Sequence, residues 1–117
     1  MNKSWILFAV AILVMAFSYP PVQIIKTQIQ ITVRNELGNT EAGVTVKLFE
    51  SEADYNNEQN VAATGVTDAK GIARFKDLKA ISYYILAEKD GKNNFGGGEV
   101  TGKLEEKRIN KVTIVIQ

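Results

Sequence analysis

The chain has 117 residues, of which 45% are hydrophobic and 23% charged, and it contains neither cysteine nor histidine. This length suits one domain and is too short for two, and the net charge of +1 gives no basic field for nucleic acid. Without cysteine, a disulfide framework, a thiolate metal site and a thiol nucleophile are excluded. Without histidine, a Ser-His-Asp triad is impossible and the commonest transition-metal ligand is missing. We therefore expect no cofactor and no metal site.

The N-terminus has the pattern of a secretory signal. Lys3 precedes an unbroken apolar run, Trp5–Phe17. A spanning helix needs about 20 apolar residues, whereas a signal combines a cationic start, about 7–15 apolar residues and a small-residue cleavage site. Ala16 and Ser18 supply the small residues, so we predict cleavage after Ser18. The alternative is an uncleaved anchor, and we expect membrane contact only through this segment, if it is retained.

This pattern divides the chain into three parts. Residues 1–18 are the predicted signal peptide, residues 19–26 a linker and the start of the first strand, and residues 27–117 a folded domain. The predicted location is outside the cytoplasm, in the periplasm, the cell envelope or the extracellular space.

The rest of the chain alternates apolar and polar residues with the period of two that is typical of half-buried strands. Predicted strands cover residues 25–34, 44–48, 61–67, 72–75, 82–89, 99–101 and 111–117. Ser51–Asn60 is polar and predicts an exposed loop, and Asp68–Gly71 predicts a tight turn. Six or seven short strands without β–α–β alternation predict an all-β, antiparallel Greek-key β-sandwich.

Strand parity also predicts which side chains fill the sandwich, because a slip of one residue would turn a whole strand face to solvent. The predicted interior consists of Ile29, Ile31, Val33, Val46, Leu48, Phe75, Leu86, Val112, Ile114 and Ile116.

Three segments resemble a known group of sandwiches: ITVRNELGNTEAGVTVKLFE at 31–50, ATGVTDAKGIARFKDL at 63–78 and YYILAEKDG at 83–91. Their turn and strand motifs resemble the prealbumin-like group. This group includes transthyretin-like proteins, carboxypeptidase regulatory-like domains and the collagen-adhesin B-repeats of bacterial adhesins and pilins. The resemblance covers residues 27–117 and implies the fold of a secreted bacterial domain. It implies little about function, because the fold serves many functions.

The resemblance raises the possibility of covalent chemistry. Pilin and adhesin repeats often form a Lys–Asn isopeptide bond with the help of a buried carboxylate, whose position Glu88 occupies by resemblance. Arg34 stands where the Lys is needed, however, and Asn110 lies before the last predicted strand rather than in it. We therefore predict no isopeptide bond. The transthyretin-like hydrolases use histidine, which this chain lacks.

Two further motifs fit their families incompletely. Gly97–Lys103 has the spacing of a phosphate loop, but Leu104 stands where Ser or Thr is required. Asp54–Glu58 spaces oxygen side chains as calcium loops do, but Gln59 replaces the expected glycine and Gly65 the bidentate glutamate. The favoured interpretations are a flexible glycine loop and a polar surface loop.

Four aromatic residues are the candidate ligand-binding residues: Phe49, Tyr55, Tyr83 and Phe95. Exposed aromatics would suit a carbohydrate, but Phe49 and Phe95 could equally cover an edge of the sandwich. A protein partner could instead add a strand at the glycine-rich strand near residue 98 or at the terminal strand.

Two function classes therefore stay open. The first is a secreted, non-catalytic module for binding or structural interaction at the cell envelope, with a protein or carbohydrate partner and no nucleic acid. The alternative is a carboxylate-based enzyme such as a glycosidase, with Asp54, Asp68, Asp77 and Glu88 as the available carboxylates. Two carboxyl groups about 5–10 Å apart in a cleft would favour the enzyme.

Overall fold

The computed structural model describes residues 25–117, so the predicted signal peptide and its cleavage site lie outside the described residues. The described chain forms β1 (Gln28–Arg34), β2 (Thr45–Phe49), α1 (Glu52–Asn57), β3 (Ala63–Val66), β4 (Ile72–Phe75), β5 (Ser82–Lys89), β6 (Lys92–Asn93), β7 (Val100–Lys103) and β8 (Ile109–Val115). Within this range, no helix is long and apolar enough to cross a membrane.

Two sheets pack face to face, as the strand pattern predicts. One sheet has the order β4-β1-β8, and the other has the order β3-β2-β5-β6 with β7 also paired to β5. The β-sandwich is therefore confirmed. One pair departs from the antiparallel expectation, because β1 and β8 run parallel. Alternation of apolar residues fixes the faces of a strand but carries no information about its direction.

The interior lies between the sheets and is built from one parity of each strand. Ile29, Ile31 and Val33 of β1 are fully buried there. In the register with β4, Ile29 stands opposite Phe75 and Ile31 opposite Ala73. The rest of this core consists of Val44, Val46, Leu48, Tyr83, Ile85, Ala87, Leu104, Ile114 and Ile116, with Val112 partly buried against it. Nine of the ten predicted core residues thus pack in or against one interior.

Leu86 is the exception, and its predicted position was wrong. It is buried, but in a second cluster on the outer face of the five-stranded sheet. β5 is apolar on both parities, so its sequence does not say which face turns inward. Tyr83, Ile85 and Ala87 take the interior, which leaves Tyr84, Leu86 and Glu88 on the other face.

The predicted loop at Ser51–Asn60 is instead a short helix with a polar exposed side. Ser51 is its N-cap, and the Ser51 hydroxyl accepts a hydrogen bond from the Asp54 amide at 3.1 Å. Glu58 ends the helix in the left-handed conformation, with its amide directed to the carbonyls of Asp54 and Tyr55. Tyr55 is the buried residue of this helix, so no apolar repeat exists in the sequence to reveal it.

Candidate functional site

The candidate site lies on the outer face of the five-stranded sheet, where solvent would be expected. Phe49 and Leu86 are buried on this face, although they lie outside the sandwich interior. Tyr84 stands opposite Phe49 in the register of β2 and β5. It packs against the cluster that contains Phe49 and Leu86. Side chains that alternate along a strand reach opposite faces, so these three residues form an apolar strip outside the main core.

The helix α1 places Tyr55 over this strip. The Tyr55 ring meets Phe49 edge-on with centroids 6.0 Å apart, and it lies 5.9 Å from the ring of Tyr84. Phe95 closes the group, with its centroid 6.4 Å from that of Tyr55 and a T-shaped arrangement. These distances and angles are those that aromatic pairs favour. We call Phe49, Tyr55, Tyr84 and Phe95 the aromatic cluster.

A hydrogen bond fixes the polar end of the Tyr55 ring. The Tyr55 hydroxyl donates to Glu99 Oε1 at 2.8 Å, which ties α1 to the segment before β7. Burial, and then this bond to Glu99, raise the pKa of the Tyr55 phenol. A phenol held in its neutral form is a poor nucleophile, so the contact locks the helix in place rather than activating the oxygen.

Asn94 positions the segment that carries Phe95. The Asn94 side chain is fully buried, accepts a hydrogen bond from the Ala87 amide at 2.9 Å, and donates to the carbonyls of Ile85 and Gly98, each at 2.8 Å. It therefore takes the place of a neighbouring strand between the short pairings of β6 and β7 with β5. With Asn94 held in this way, Phe95 projects outward and is 53% exposed.

A shallow polar groove of about 600 Å³ adjoins the aromatic cluster on the same face. Leu86 belongs to both, so the apolar strip continues into the groove floor. Charged side chains of both signs surround it, including Lys47, Glu88 and Lys92. The full lining consists of Gly43, Thr45, Lys47, Leu86, Glu88, Lys89, Asp90, Gly91, Lys92 and Asn93.

One rim of the groove is held by an ion pair. Lys89 Nζ lies 3.1 Å from Glu41 Oε2 and donates to the Ala42 carbonyl at 2.6 Å. A hydrogen bond from Asn35, followed by the bond from Lys89, lowers the pKa of the Glu41 carboxyl below its ordinary value. Lys89 is thus engaged with the β1–β2 connection, whereas Lys47 and Lys92 make no ion pair with any described residue.

The structure brings together three of the four aromatic residues that the sequence singled out. Phe49, Tyr55 and Phe95 meet in the aromatic cluster, and of these only Phe95 is exposed. Tyr83 lies apart from them, because its ring is 2% exposed within the main core and its hydroxyl accepts a hydrogen bond from the Lys79 amide. Its burial removes Tyr83 from any surface contact.

The candidate catalytic carboxylates lie on separate parts of the fold. Asp54 is on α1, where its carboxylate accepts from Asn60 Nδ2, and Asp68 forms an ion pair with Arg74. Asp77 forms an ion pair with Lys26 at 3.0 Å. Of the four candidates only Glu88 lines the groove, where Asp90 is a further carboxylate. Within residues 25–117, no cluster of three or more acidic side chains could hold a metal ion.

The residues named by the isopeptide motif are exposed or are engaged in other contacts. Glu88 is exposed on the outer face of β5, and the Arg34 guanidinium donates to the Gly38 carbonyl at 2.8 Å. Asn110 donates to the carbonyls of Gln28 and Glu105. The absence of an isopeptide bond stays a prediction, tested below.

Four residues of this surface are not among the candidate site residues that the sequence indicates: Tyr84, Leu86, Asn94 and Glu99. The apolar run on both parities at residues 83–87 predicts a central strand with two buried faces, but it does not say which side chains reach the outer face. No local sequence pattern predicts the burial of Asn94, because its side-chain hydrogen bonds are made to β5 and to Gly98.

No protein-family model matches this chain, and no curated protein matches its sequence. Solved structures of Gram-positive pilins share its fold. The group B streptococcus pilus 2b backbone protein is 18% identical with a TM-score of 0.52, over 81% of this chain and 42% of that one. GBS52, the minor pilin of Streptococcus agalactiae, is 19% identical with a TM-score of 0.54, over 84% and 47%. BcpA, the major pilin subunit of Bacillus cereus, is 20% identical with a TM-score of 0.51, over 80% and 30%.

These similarities concern the fold. The chain spans less than half the length of each pilin that it matches, at 42%, 47% and 30%. The match is therefore to a part of each pilin, a β-sandwich portion of a larger subunit.

Proposed function

We propose that this chain is an exported, non-catalytic β-sandwich module of the bacterial cell envelope, of the prealbumin-like class, that binds a protein partner. The observation that carries the proposal is the outer face of the five-stranded sheet. There Phe95 is the exposed member of the aromatic cluster, beside an open polar groove that Leu86 also lines. Rigid aromatic anchors surrounded by polar groups are typical of protein interfaces.

The fold shared with pilin subunits supports an interaction role at the cell surface. The mixed charges of the groove support a protein partner over a uniformly charged polymer, because Lys47 and Lys92 line it together with Glu88 and Asp90. The two sheets supply a stable frame, and α1 with the Asn94 segment supplies the contact surface.

The test is retention of the purified protein by envelope preparations from the bacterium that makes it, with and without protease treatment of the envelope. We expect retention that protease abolishes and that Phe95→Ala weakens by about tenfold or more, as loss of an aromatic anchor does. Leu37→Ala is the matched control, because Leu37 is 86% exposed in the turn after β1 and belongs to neither the cluster nor the groove.

Equal retention of Phe95→Ala and the unaltered protein would refute the proposed surface. Retention that survives protease would favour a carbohydrate partner over a protein.

A further inference from the structure

A second surface of the molecule lies at the edge of the other sheet, along β8. The backbone groups of β8 alternate between two sides. Ile116 N–H donates to the Arg34 carbonyl of β1 at 2.9 Å, and Arg108 O accepts from the Gln28 amide of β1 at 2.9 Å. Val115 N–H points the other way and donates to Gly97 O at 2.9 Å. Since alternate residues of a strand share a side, Ile109, Lys111 and Thr113 also direct their N–H and C=O groups away from β1.

The segment before β7 covers one half of this edge. Besides the bond to Val115, Gln117 N–H donates to Asn93 O at 2.9 Å and Asn93 N–H donates to Gln117 O at 3.2 Å. At Gly97 the two backbones approach so closely that a Cβ atom would lie 2.1 Å from Val115 O. The chain then turns through Gly98, whose φ of +109° suits glycine, and leaves for the five-stranded sheet.

The other half of the edge, from Ile109 to Thr113, is left uncovered by residues 25–117. Across the described chain β8 pairs only with β1, and no described residue bonds the outward amides of Lys111 and Thr113. All three outward side chains, those of Ile109, Lys111 and Thr113, are exposed. An uncovered strand edge offers a ready row of donors and acceptors to another extended chain.

The charge on this sheet restricts what can bind there. β1, β4 and β8 carry Arg34, Arg74 and Lys111 and no carboxylate. Lys111 stands in one cross-strand row with Gln30 and Arg74, and it makes no ion pair with any described residue. A side chain placed directly opposite Lys111 on an added strand is favoured if acidic and disfavoured if basic.

The same lysine argues against a second copy of this chain as the occupant. Because Gly97 occupies the edge at Val115, antiparallel pairing between two copies of β8 is confined to residues 109–113. That register is centred on Lys111 and sets the two Lys111 side chains opposite one another, which is destabilising.

We propose that the edge of β8 from Ile109 to Thr113 receives an extended segment of a protein partner as a fourth strand, with an acidic side chain opposite Lys111. Backbone hydrogen bonds hold the added strand, and the ion pair with Lys111 sets its register. This edge belongs to the three-stranded sheet, so its binding is independent of the groove and of Phe95. The proposal therefore stands or falls separately from the proposed function.

The test uses the purified full chain and two capped pentapeptides, Thr-Val-Glu-Val-Ile and Thr-Val-Lys-Val-Ile. In antiparallel register their central residue faces Lys111 and their final isoleucine faces Ile109. We expect the glutamate peptide to slow amide hydrogen exchange at Lys111 and Thr113 by about tenfold, as a new backbone bond does. Val112 and Ile114, whose amides already point towards β1, serve as internal controls.

Two variants sharpen the result. Lys111→Glu should reverse the preference, so that the lysine peptide protects better than the glutamate peptide. Lys111→Pro should abolish protection at residue 111, since proline lacks the amide donor and is tolerated where that amide faces outward. If the proline variant does not fold, Lys111→Glu alone decides.

Three outcomes would overturn the proposal. The first is no protection by either peptide, and the second is equal protection by both. The third is protection of Lys111 and Thr113 without peptide, either rising with protein concentration or lost when residues 19–24 are removed. Those last results would assign the edge to a second copy or to the chain's own N-terminal segment.

Discussion

Asn94 joins parts of the fold that no strand pairing connects. Its side-chain oxygen accepts a hydrogen bond from the backbone N–H of Ala87, and its side-chain nitrogen donates to the backbone carbonyls of Ile85 and Gly98. Asn94→Ala would orphan all three groups, each at about 1–3 kcal/mol, so we expect the free energy of unfolding to fall by about 3 kcal/mol or more. Denaturant melts measure the loss, and Asn39→Ala, an exposed asparagine, should change stability by less than about 0.5 kcal/mol. Similar losses in both variants would contradict the assigned role.

The raised pKa of Tyr55 makes the stability of the aromatic cluster depend on pH in the alkaline range. Burial and the bond to Glu99 raise its pKa above the ordinary value of 10.0, so the folded state holds the phenol proton more tightly than the unfolded state does. The stability from Tyr55 is therefore fully present below pH 10 and declines as the pH rises further. When the ultraviolet absorbance of phenolate is followed during a pH titration, Tyr55→Phe should remove a tyrosine that ionises at a higher pH than an ordinary tyrosine. Loss of a component at the ordinary value would contradict the contact with Glu99.

At the scale of elements, alanine substitutions on the interior face of a strand should cost far more stability than those on its outer face. Phe75 and Ile114 are buried in the core, so Phe75→Ala should cost about 3–5 kcal/mol and Ile114→Ala about 2–5 kcal/mol. Gln30 and Thr113 project from the outer face of the same sheet, and their alanine variants should cost within about 0.5 kcal/mol. Equal losses in the two sets, measured by denaturant melts, would mean that this sheet is buried on both faces.

The helix α1 depends on its cap more than on its length. A helix of six residues is too short to be stable alone, and its first turn is held by the Ser51 hydroxyl at Asp54 N. Ser51→Ala should therefore cost about 1 kcal/mol and raise the exposure of Tyr55. Tyrosine fluorescence and denaturant melts check the two effects. A stable variant with unchanged fluorescence would show that the aromatic contacts alone hold the helix.

These elements also show what the sequence reveals and what it does not. β4 and β5 have the predicted bounds, because their alternation and flanking turns are local properties of the chain. β8 begins two residues earlier than predicted, at Ile109, where parallel pairing with Gln28 decides the boundary. The helix was missed because α1 buries a single residue, Tyr55. Tyr55 is buried by long-range contacts, with Tyr84 and Glu99, and such contacts leave no local pattern in the sequence.

The candidate site is predictable only in part, because local sequence patterns reveal some of its residues and long-range packing decides the others. Phe49 breaks the polar parity of its strand, which makes it a candidate from sequence alone, and the structure places it in the aromatic cluster. Tyr83 and Tyr84 are adjacent tyrosines on β5, and only the orientation of the strand decides which of them reaches the outer face. That orientation is set by packing of the two sheets.

At the scale of the whole molecule, we predict an exported module without an internal covalent cross-link. Export rests on the short apolar run at the N-terminus and on cleavage after Ser18. The predicted absence of a cross-link rests on Arg34 in place of a lysine and on an exposed Glu88. In an isopeptide-bonded domain, a lysine amine attacks an amide and ammonia leaves, so both claims are visible in the mass of one molecule.

Intact-mass spectrometry of the protein recovered from the cells that make it is therefore the most direct test. We expect a species with the mass of residues 19–117, found in the envelope or the medium. A mass lower by about 17 Da, the loss of one ammonia, would show an internal cross-link. A full-length species that remains in the cytoplasm would contradict export and with it the proposed role at the cell surface.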